Sequence, residues 1–243
     1  MSRIYVSTQF FEDGERLDLI SLALIRESDD AELYRINADM DQKAVRTSDW
    51  LMDNAIPDLH LDETIREGVP RDALFNPADP AVHGVKDIAK HVGDFIAEAP
   101  EPVLTGLWAS YDSVLIGRLF GSIDHRPEHI PVWARETKAD HQRLGSPALP
   151  PERPKSANAL HNARHARRTA QLLDACDDRR TLEAITYARY ETGMREICGY
   201  IKQFGEDGTA IQPDALLNFI GRVEFDATSE LRNWSRAMAE RSA

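Results

Sequence analysis

The sequence predicts an α/β fold in which a mixed sheet is flanked by helices and followed by a C-terminal extension of two helices. Three observations predict this class. A strand–turn–strand pattern opens the chain, an apolar helix and a short buried strand occupy its middle, and long stripes of helical period occupy its end. With 243 residues, 42% of them hydrophobic and 29% charged, the composition is that of a globular protein.

Residues 4–22 predict a β-hairpin. Runs rich in Ile, Val, Phe and Leu flank residues 12–15, whose Asp-Gly pair is a strong hairpin signal because glycine accepts a positive φ. Alternation along the first strand puts Ser7 and Gln9 on one face and Thr8 and Glu12 on the other. Two small polar groups therefore lie on the same face near the end of this strand.

The remaining elements are predicted from hydrophobic period and from the prolines and glycines that interrupt it. In order, they are a strand at 31–37, helical turns at 41–54, a proline-rich surface connection at 57–82, a helix at 85–97, a buried strand at 103–109 that includes Trp108, a helix from about Asp112, a short strand at 130–133, a helix at 134–144, and helices at 180–204 and 213–239.

Three segments, 4–22, 103–121 and 155–168, carry a resemblance to a known family. They resemble the RNase AS-like 3′-to-5′ exoribonucleases, a branch of the DEDDh exonucleases. That family opens on Asp-Thr-Glu-Phe, carries Trp-Ala-x-Tyr-Asp before an apolar helix, and later carries His-x-Ala-Leu-x-Asp-Ala-Arg. The resemblance covers residues 3–175 and implies an RNase H-like sheet, with an exonuclease-like domain at 1–175 and a helical extension at 176–243.

The same resemblance implies five catalytic positions, most of which are substituted here. Ser7 and Gln9 stand where the family has its first Asp and Glu, Ala157 replaces the general-base His, and Asn162 replaces the last Asp. Asp112 alone matches, as a metal-binding aspartate. Hydrolysis by two divalent ions, Mg²⁺ or Mn²⁺, needs several anionic oxygen ligands, and one carboxylate supplies too few. We therefore expect a degenerate, catalytically inactive exonuclease fold, a pseudoenzyme.

Other residues do not obviously rescue the site. Glu12 should face away from Gln9 by strand alternation. His161 and His165 are spaced i,i+4 on one helix face, but Asn162 follows the first of them, so the metalloprotease motif His-Glu-x-x-His is absent.

Charge divides unevenly along the chain. The net charge of −12 belongs to residues 1–150, and the rest is neutral with a local basic patch at 151–170 that includes Arg153 and Lys155. An acidic protein repels polyanions at long range, which argues against tight non-specific binding of nucleic acid and leaves local binding of a strand end. The candidate nucleic-acid-binding residues are Phe10, Tyr111, Arg164, Arg167 and Arg168.

Three functions stay open at this point. The first is binding of a nucleotide, a single-stranded RNA end or a protein partner by an inactive fold. The second is an active metal-dependent 3′-to-5′ exoribonuclease with altered ligands. The third is a structural or assembly subunit whose C-terminal helices, with Leu231 and Trp234, bind a partner. The resemblance implies a homodimer, and the absence of an apolar span or an N-terminal signal favours a cytoplasmic protein.

Overall fold

The computed structural model describes residues 2–121, 125–151 and 157–206. The second C-terminal helix expected at 213–239, with Leu231 and Trp234, and the basic residues Arg153 and Lys155 lie outside these residues. The chain divides into two units, 1–173 and 174–243. The domain boundary expected at residue 175 stays a prediction, because most of the second unit lies outside the described residues.

The described residues contain six strands and seven α-helices. The strands are β1 Ser2–Glu12, β2 Leu17–Arg26, β3 Glu32–Asn37, β4 Val82–His83, β5 Pro102–Gly106 and β6 Ala134–Glu136. The helices are α1 Gln42–Val45, α2 Asp49–Asn54, α3 Glu63–Glu67, α4 Val85–Ala97, α5 Ala109–Leu119, α6 Thr137–Arg143 and α7 Ala159–Glu206. No helix in this part of the chain is long and apolar enough to span a membrane.

The sheet is mixed and has the strand order β4-β3-β2-β1-β5-β6. β1, β2 and β3 pair antiparallel, while β5 runs parallel to β1 and β6 runs parallel to β5. Gly14 at the β1–β2 turn has a φ of +88°, which an L side chain rarely adopts. The predicted α/β class is confirmed, and the topology is compatible with an RNase H-like fold.

Both faces of the sheet are covered. One face packs α4 and α5 against β1, with Ile88, Val92 and Ile116 buried beside Ile4 and Val6. The other face carries α1, α2 and the start of α7; its buried residues include Tyr5, Ile25, Tyr34, Val45 and Ala163. Because side chains alternate along β1, this strand contributes to both cores.

Several element boundaries differ from the predicted ones. The strand expected at 130–133 is wrong: Pro131 has no backbone N–H to donate to a ladder, and β6 instead begins at Ala134, which pairs with Leu104. The helical turns at 41–54 form two helices, because Ser48 caps α2 by accepting a hydrogen bond from the Leu51 backbone N–H.

Two longer segments also differ. The helix expected at 180–204 is part of α7, which begins at Ala159. The connection at 57–82, expected on the surface, contains α3 and a buried pair in which His60 Nδ1 lies 2.5 Å from an Asp79 carboxylate oxygen. Nε2 of the same imidazole accepts a hydrogen bond from the Asn76 backbone N–H at 2.8 Å. This network joins the two halves of the long connection to each other.

Candidate functional site

A cleft of about 790 Å³ lies within the first unit, where the second half of β1 meets the first turns of α5 and α7. Its lining includes all five positions that the sequence singled out: Ser7, Gln9, Asp112, Ala157 and Asn162. Residues that are up to 155 positions apart in sequence therefore line one cleft.

The α7 wall of the cleft is positioned by Asn158. Its side-chain oxygen caps the helix by accepting hydrogen bonds from the backbone N–H groups of Leu160 and His161, at 2.8 and 3.2 Å. Its Nδ2 donates to the Tyr34 hydroxyl at 3.1 Å and to the Asp58 backbone oxygen at 2.7 Å. These contacts hold the start of α7 against the sheet, and with it the neighbouring cleft residues Ala157 and Asn162.

Asp112 is buried, with 4% of its surface exposed, in the first turn of α5. Its Oδ1 accepts two hydrogen bonds from Thr8, one from the backbone N–H at 2.8 Å and one from the hydroxyl at 2.7 Å. Burial raises the pKa of this carboxyl to about 7, against the lowering effect of the Thr8 hydrogen bonds. The carboxyl is therefore partly protonated near neutral pH.

The other oxygen of Asp112 faces a crowded backbone. A Cβ placed on Gly106 would lie 2.9 Å from Asp112 Oδ2 and 3.0 Å from the Val6 carbonyl oxygen, so only glycine fits there. Gly106 pairs with Glu136 in the β5–β6 ladder, and the Glu136 charge contributes to the raised pKa of Asp112. Within the described residues, Glu136 Oε1 is buried without a hydrogen-bond partner.

Three uncharged polar side chains complete this part of the lining: Ser7, Gln9 and Asn162. Gln9 is 8% exposed. Over the residues that the structure describes, none of the three side chains makes a hydrogen bond within the protein. Their hydroxyl and amide groups are therefore available to a ligand in the cleft.

This set of donors does not fit a pair of divalent ions. Such a pair needs several hard anionic oxygens, and the five positions supply one carboxylate, whose Oδ1 already accepts two hydrogen bonds. Across residues 2–121, 125–151 and 157–206, no three His, Cys, Asp or Glu side chains are grouped so as to hold a metal ion. Glu12 also lines the cleft, and its Oε1 accepts a hydrogen bond from the Gly14 N–H at 2.7 Å.

Aromatic side chains form much of the rest of the lining. The Phe10 and Tyr111 rings stack with centroids 5.2 Å apart and an interplanar angle of 19°. Trp50 on α2 and Trp108 beside α5 also line the cleft and are exposed. Lys138 Nζ lies 4.3 Å from the centroid of the Trp108 ring.

The sequence placed Trp108 in a buried strand, and this was wrong. β5 ends at Gly106, and the Trp108 carbonyl oxygen accepts the N–H of Tyr111, so Trp108 is the residue before the helix and is 63% exposed. Trp50 was missed as a cleft residue, since nothing in the sequence places α2 beside β1. The sequence pattern did not reveal that both indole rings are exposed.

The three candidate arginines on α7 have different environments. Arg164 lines the cleft and makes two hydrogen bonds to the Glu32 carboxylate, at 2.7 and 2.5 Å. Arg167 is not among the lining residues, because it bonds to Asp30 at 2.5 Å on the β2–β3 turn. Arg168 lines the cleft, is exposed, and has no ion pair with any described residue.

The two histidines at i,i+4 on α7 also line the cleft. His161 is half-buried and His165 is buried. As they lie on one side of the helix, they form part of the same wall as Asn162.

Comparison with known proteins finds a 3′-5′ exoribonuclease of Mycobacterium tuberculosis, from strains CDC 1551 / Oshkosh and ATCC 25618 / H37Rv, that is 25% identical to this chain over 178 residues. The match covers 72% of this chain and 95% of the relative. No family model matches the chain. The chain is thus distantly similar to 3′-5′ exoribonucleases over nearly the whole length of that relative.

Proposed function

We propose that this chain belongs to the RNase AS-like branch of the DEDDh exonucleases, has lost hydrolysis, and acts by binding a nucleotide or the end of a single-stranded RNA in its cleft. The observation that carries the proposal is the composition of the lining: one buried carboxylate among uncharged polar groups and several aromatic rings. The distant similarity to an exoribonuclease supports RNA as the class of ligand.

The aromatic rings suit a ligand whose bases are unpaired. Base–aromatic stacking contributes about 1–3 kcal/mol per base and tolerates any base sequence. Trp50, Trp108 and Tyr111 line the cleft with exposed rings, which a folded protein otherwise tends to bury. Arg168 adds a cation that has no ion pair with a described residue and is available to a phosphate group.

A second candidate is an active, metal-dependent 3′-to-5′ exoribonuclease that uses altered ligands. The similarity to a 3′-5′ exoribonuclease over 95% of that protein favours it. Asp112 would then be a ligand to Mg²⁺ or Mn²⁺. The need for several anionic ligands argues against this candidate.

One experiment separates the two candidates. The purified protein and an Asp112→Ala variant are incubated with a 5′-labelled single-stranded oligoadenylate and Mn²⁺, and fluorescence anisotropy of the same oligonucleotide is measured in parallel. We expect intact RNA and a saturable anisotropy change with the wild-type protein. Progressive shortening that is lost in Asp112→Ala would overturn the inactive assignment, and the absence of any anisotropy change would overturn RNA binding.

The chain's own association is a separate part of the proposal. By the family resemblance we propose a homodimer, and a role as an assembly subunit would add a protein partner at the C-terminal helices. Sedimentation equilibrium gives the mass in solution, and a monomer across the micromolar range would contradict the dimer. No affinity for RNA together with a stable complex with another protein would favour the assembly role.

A further inference from the structure

The uncharged side chains of the cleft indicate how a ligand is held there. We propose that the cleft binds a single-stranded oligonucleotide without a divalent cation, with the amide groups of Gln9 and Asn162 donating hydrogen bonds to its phosphate or sugar oxygens; this rests on the proposed RNA-binding function. Amide side chains are among the groups that contact phosphate and sugar oxygens in nucleic-acid complexes.

The Gln9 side chain lines the cleft and lacks a hydrogen-bond partner among the described residues. The residue is 92% buried in β1, yet its amide makes no hydrogen bond with any described residue. Its amide nitrogen and oxygen are not among the fully buried polar atoms that lack a partner, so they reach the open cleft, where a ligand can complete their hydrogen bonds. The side chain lines the cleft together with Ser7 and Asn162, whose side chains also make no hydrogen bond with a described residue.

The charge of the lining supports the same conclusion. The charged residues that line the cleft are Glu12, Asp112, Arg164 and Arg168, two of each sign. Acids in place of Ser7, Gln9 and Asn162 would give the lining three further negative charges, and a phosphate could enter only beside cations that screen them. Because the side chains at these positions are neutral, a phosphate can enter the cleft without accompanying cations.

The test compares affinity for the labelled oligoadenylate in EDTA and in Mg²⁺, for the wild-type protein and for the double variant Gln9→Glu/Asn162→Asp. Both substitutions keep the size of the side chain and add a charge. We expect the wild-type dissociation constant to change less than about threefold between the two conditions. The double variant should bind roughly tenfold or more weakly in EDTA and recover at least in part in Mg²⁺.

A matched control adds the same two charges elsewhere. Gln142→Glu/Ser146→Asp changes exposed residues that do not line the cleft, and should leave affinity in EDTA within about twofold of wild type. Circular dichroism and thermal unfolding check that both double variants are folded. If Gln9→Glu/Asn162→Asp is unfolded, the single Asn162→Asp variant at a half-buried position replaces it.

The outcomes separate this inference from the proposed function. No wild-type binding in either condition contradicts the proposed function itself. Wild-type binding that requires Mg²⁺ leaves the proposed function in place and overturns the cation-independent mode. Equal affinity of the two double variants in EDTA also overturns it, because the amides would then not face the phosphates.

Discussion

Thr8 and Asp112, 104 residues apart in sequence, are joined by two hydrogen bonds that end on the same carboxylate oxygen. The Thr8 backbone N–H and hydroxyl both donate to Asp112 Oδ1. Thr8 lies on the face of β1 opposite to Ser7 and Gln9, and this pair ties the strand to the first turn of α5. The carboxyl is therefore engaged within the protein before any ligand enters the cleft.

Loss of the Thr8 hydroxyl should destabilise the fold. Thr8→Val removes one of the two donors to a buried carboxylate oxygen, and we expect the free energy of unfolding to fall by about 1–3 kcal/mol. Thr8→Ser keeps the hydroxyl and should lose clearly less. Urea denaturation at pH 8 measures both variants, and equal losses would show that the hydroxyl bond contributes little.

Asp112 should make stability dependent on pH. Its pKa is raised from 3.8 to about 7, so the folded state binds the proton more tightly than the unfolded state. The contribution of the Asp112 carboxyl to the free energy of unfolding is complete below pH 4 and is lost as the pH rises through 7. Asp112→Asn should flatten that decline and, at pH 8, raise the free energy of unfolding by up to roughly 4 kcal/mol.

Asp94→Asn is the control for this prediction. Asp94 lies on the exposed side of α4 in an ion pair with Lys90, and its loss should change the free energy of unfolding by less than about 1 kcal/mol at any pH. Chemical denaturation between pH 4 and pH 9 gives the two profiles. Superimposable profiles for Asp112→Asn and wild type would mean that the carboxyl titrates normally.

Trp108 should contribute to RNA affinity. Trp108→Ala removes an exposed ring that lines the cleft, and loss of one stacked base costs about 1–3 kcal/mol, or roughly fivefold to 150-fold in the dissociation constant. Trp133→Ala is the matched control, since that ring is exposed but does not line the cleft. Anisotropy titration with oligoadenylate measures both, and equal effects would place the RNA outside the cleft.

Arg168 and Arg167 should differ in their salt dependence. Arg168 lines the cleft, whereas Arg167 bonds to Asp30. Arg168→Gln should reduce the slope of log K against log salt concentration by about 0.7, the change expected for one phosphate contact on a single strand. Arg167→Gln should leave the slope unchanged. If the slope falls in Arg167→Gln and not in Arg168→Gln, the phosphate contact lies at Arg167, outside the cleft.

Local patterns predicted the parts of the fold that depend on local forces. α4 begins and ends at the predicted residues, because its apolar stripe is long and Pro100 and Pro102 follow it. The hairpin was predicted because the turn needs the positive φ that Gly14 supplies. The resemblance predicted which residues would share a cleft.

Contacts between distant segments were not predictable. The apolar run at 103–109 predicts a strand over its whole length, but β5 ends at Gly106, where the Asp112 carboxylate of the next helix approaches the backbone. The sequence likewise predicts a basic patch but not that Arg164 and Arg167 meet Glu32 and Asp30 on a hairpin more than 130 residues earlier. These pairs depend on where α7 packs on the sheet.

The ion pairs of Arg164 and Arg167 with the hairpin, together with the hydrogen bond from Asn158 to Tyr34, also affect the order in which the chain folds during synthesis. They join the start of α7 to β3 and the turn before it, across 124 to 137 residues of sequence. While the ribosome is still making residues 38–157, one face of the sheet lacks the helix that covers Tyr34 and Ile25. The part of that apolar face that α7 covers stays open to water, chaperones or other nascent chains until the first turns of α7 emerge.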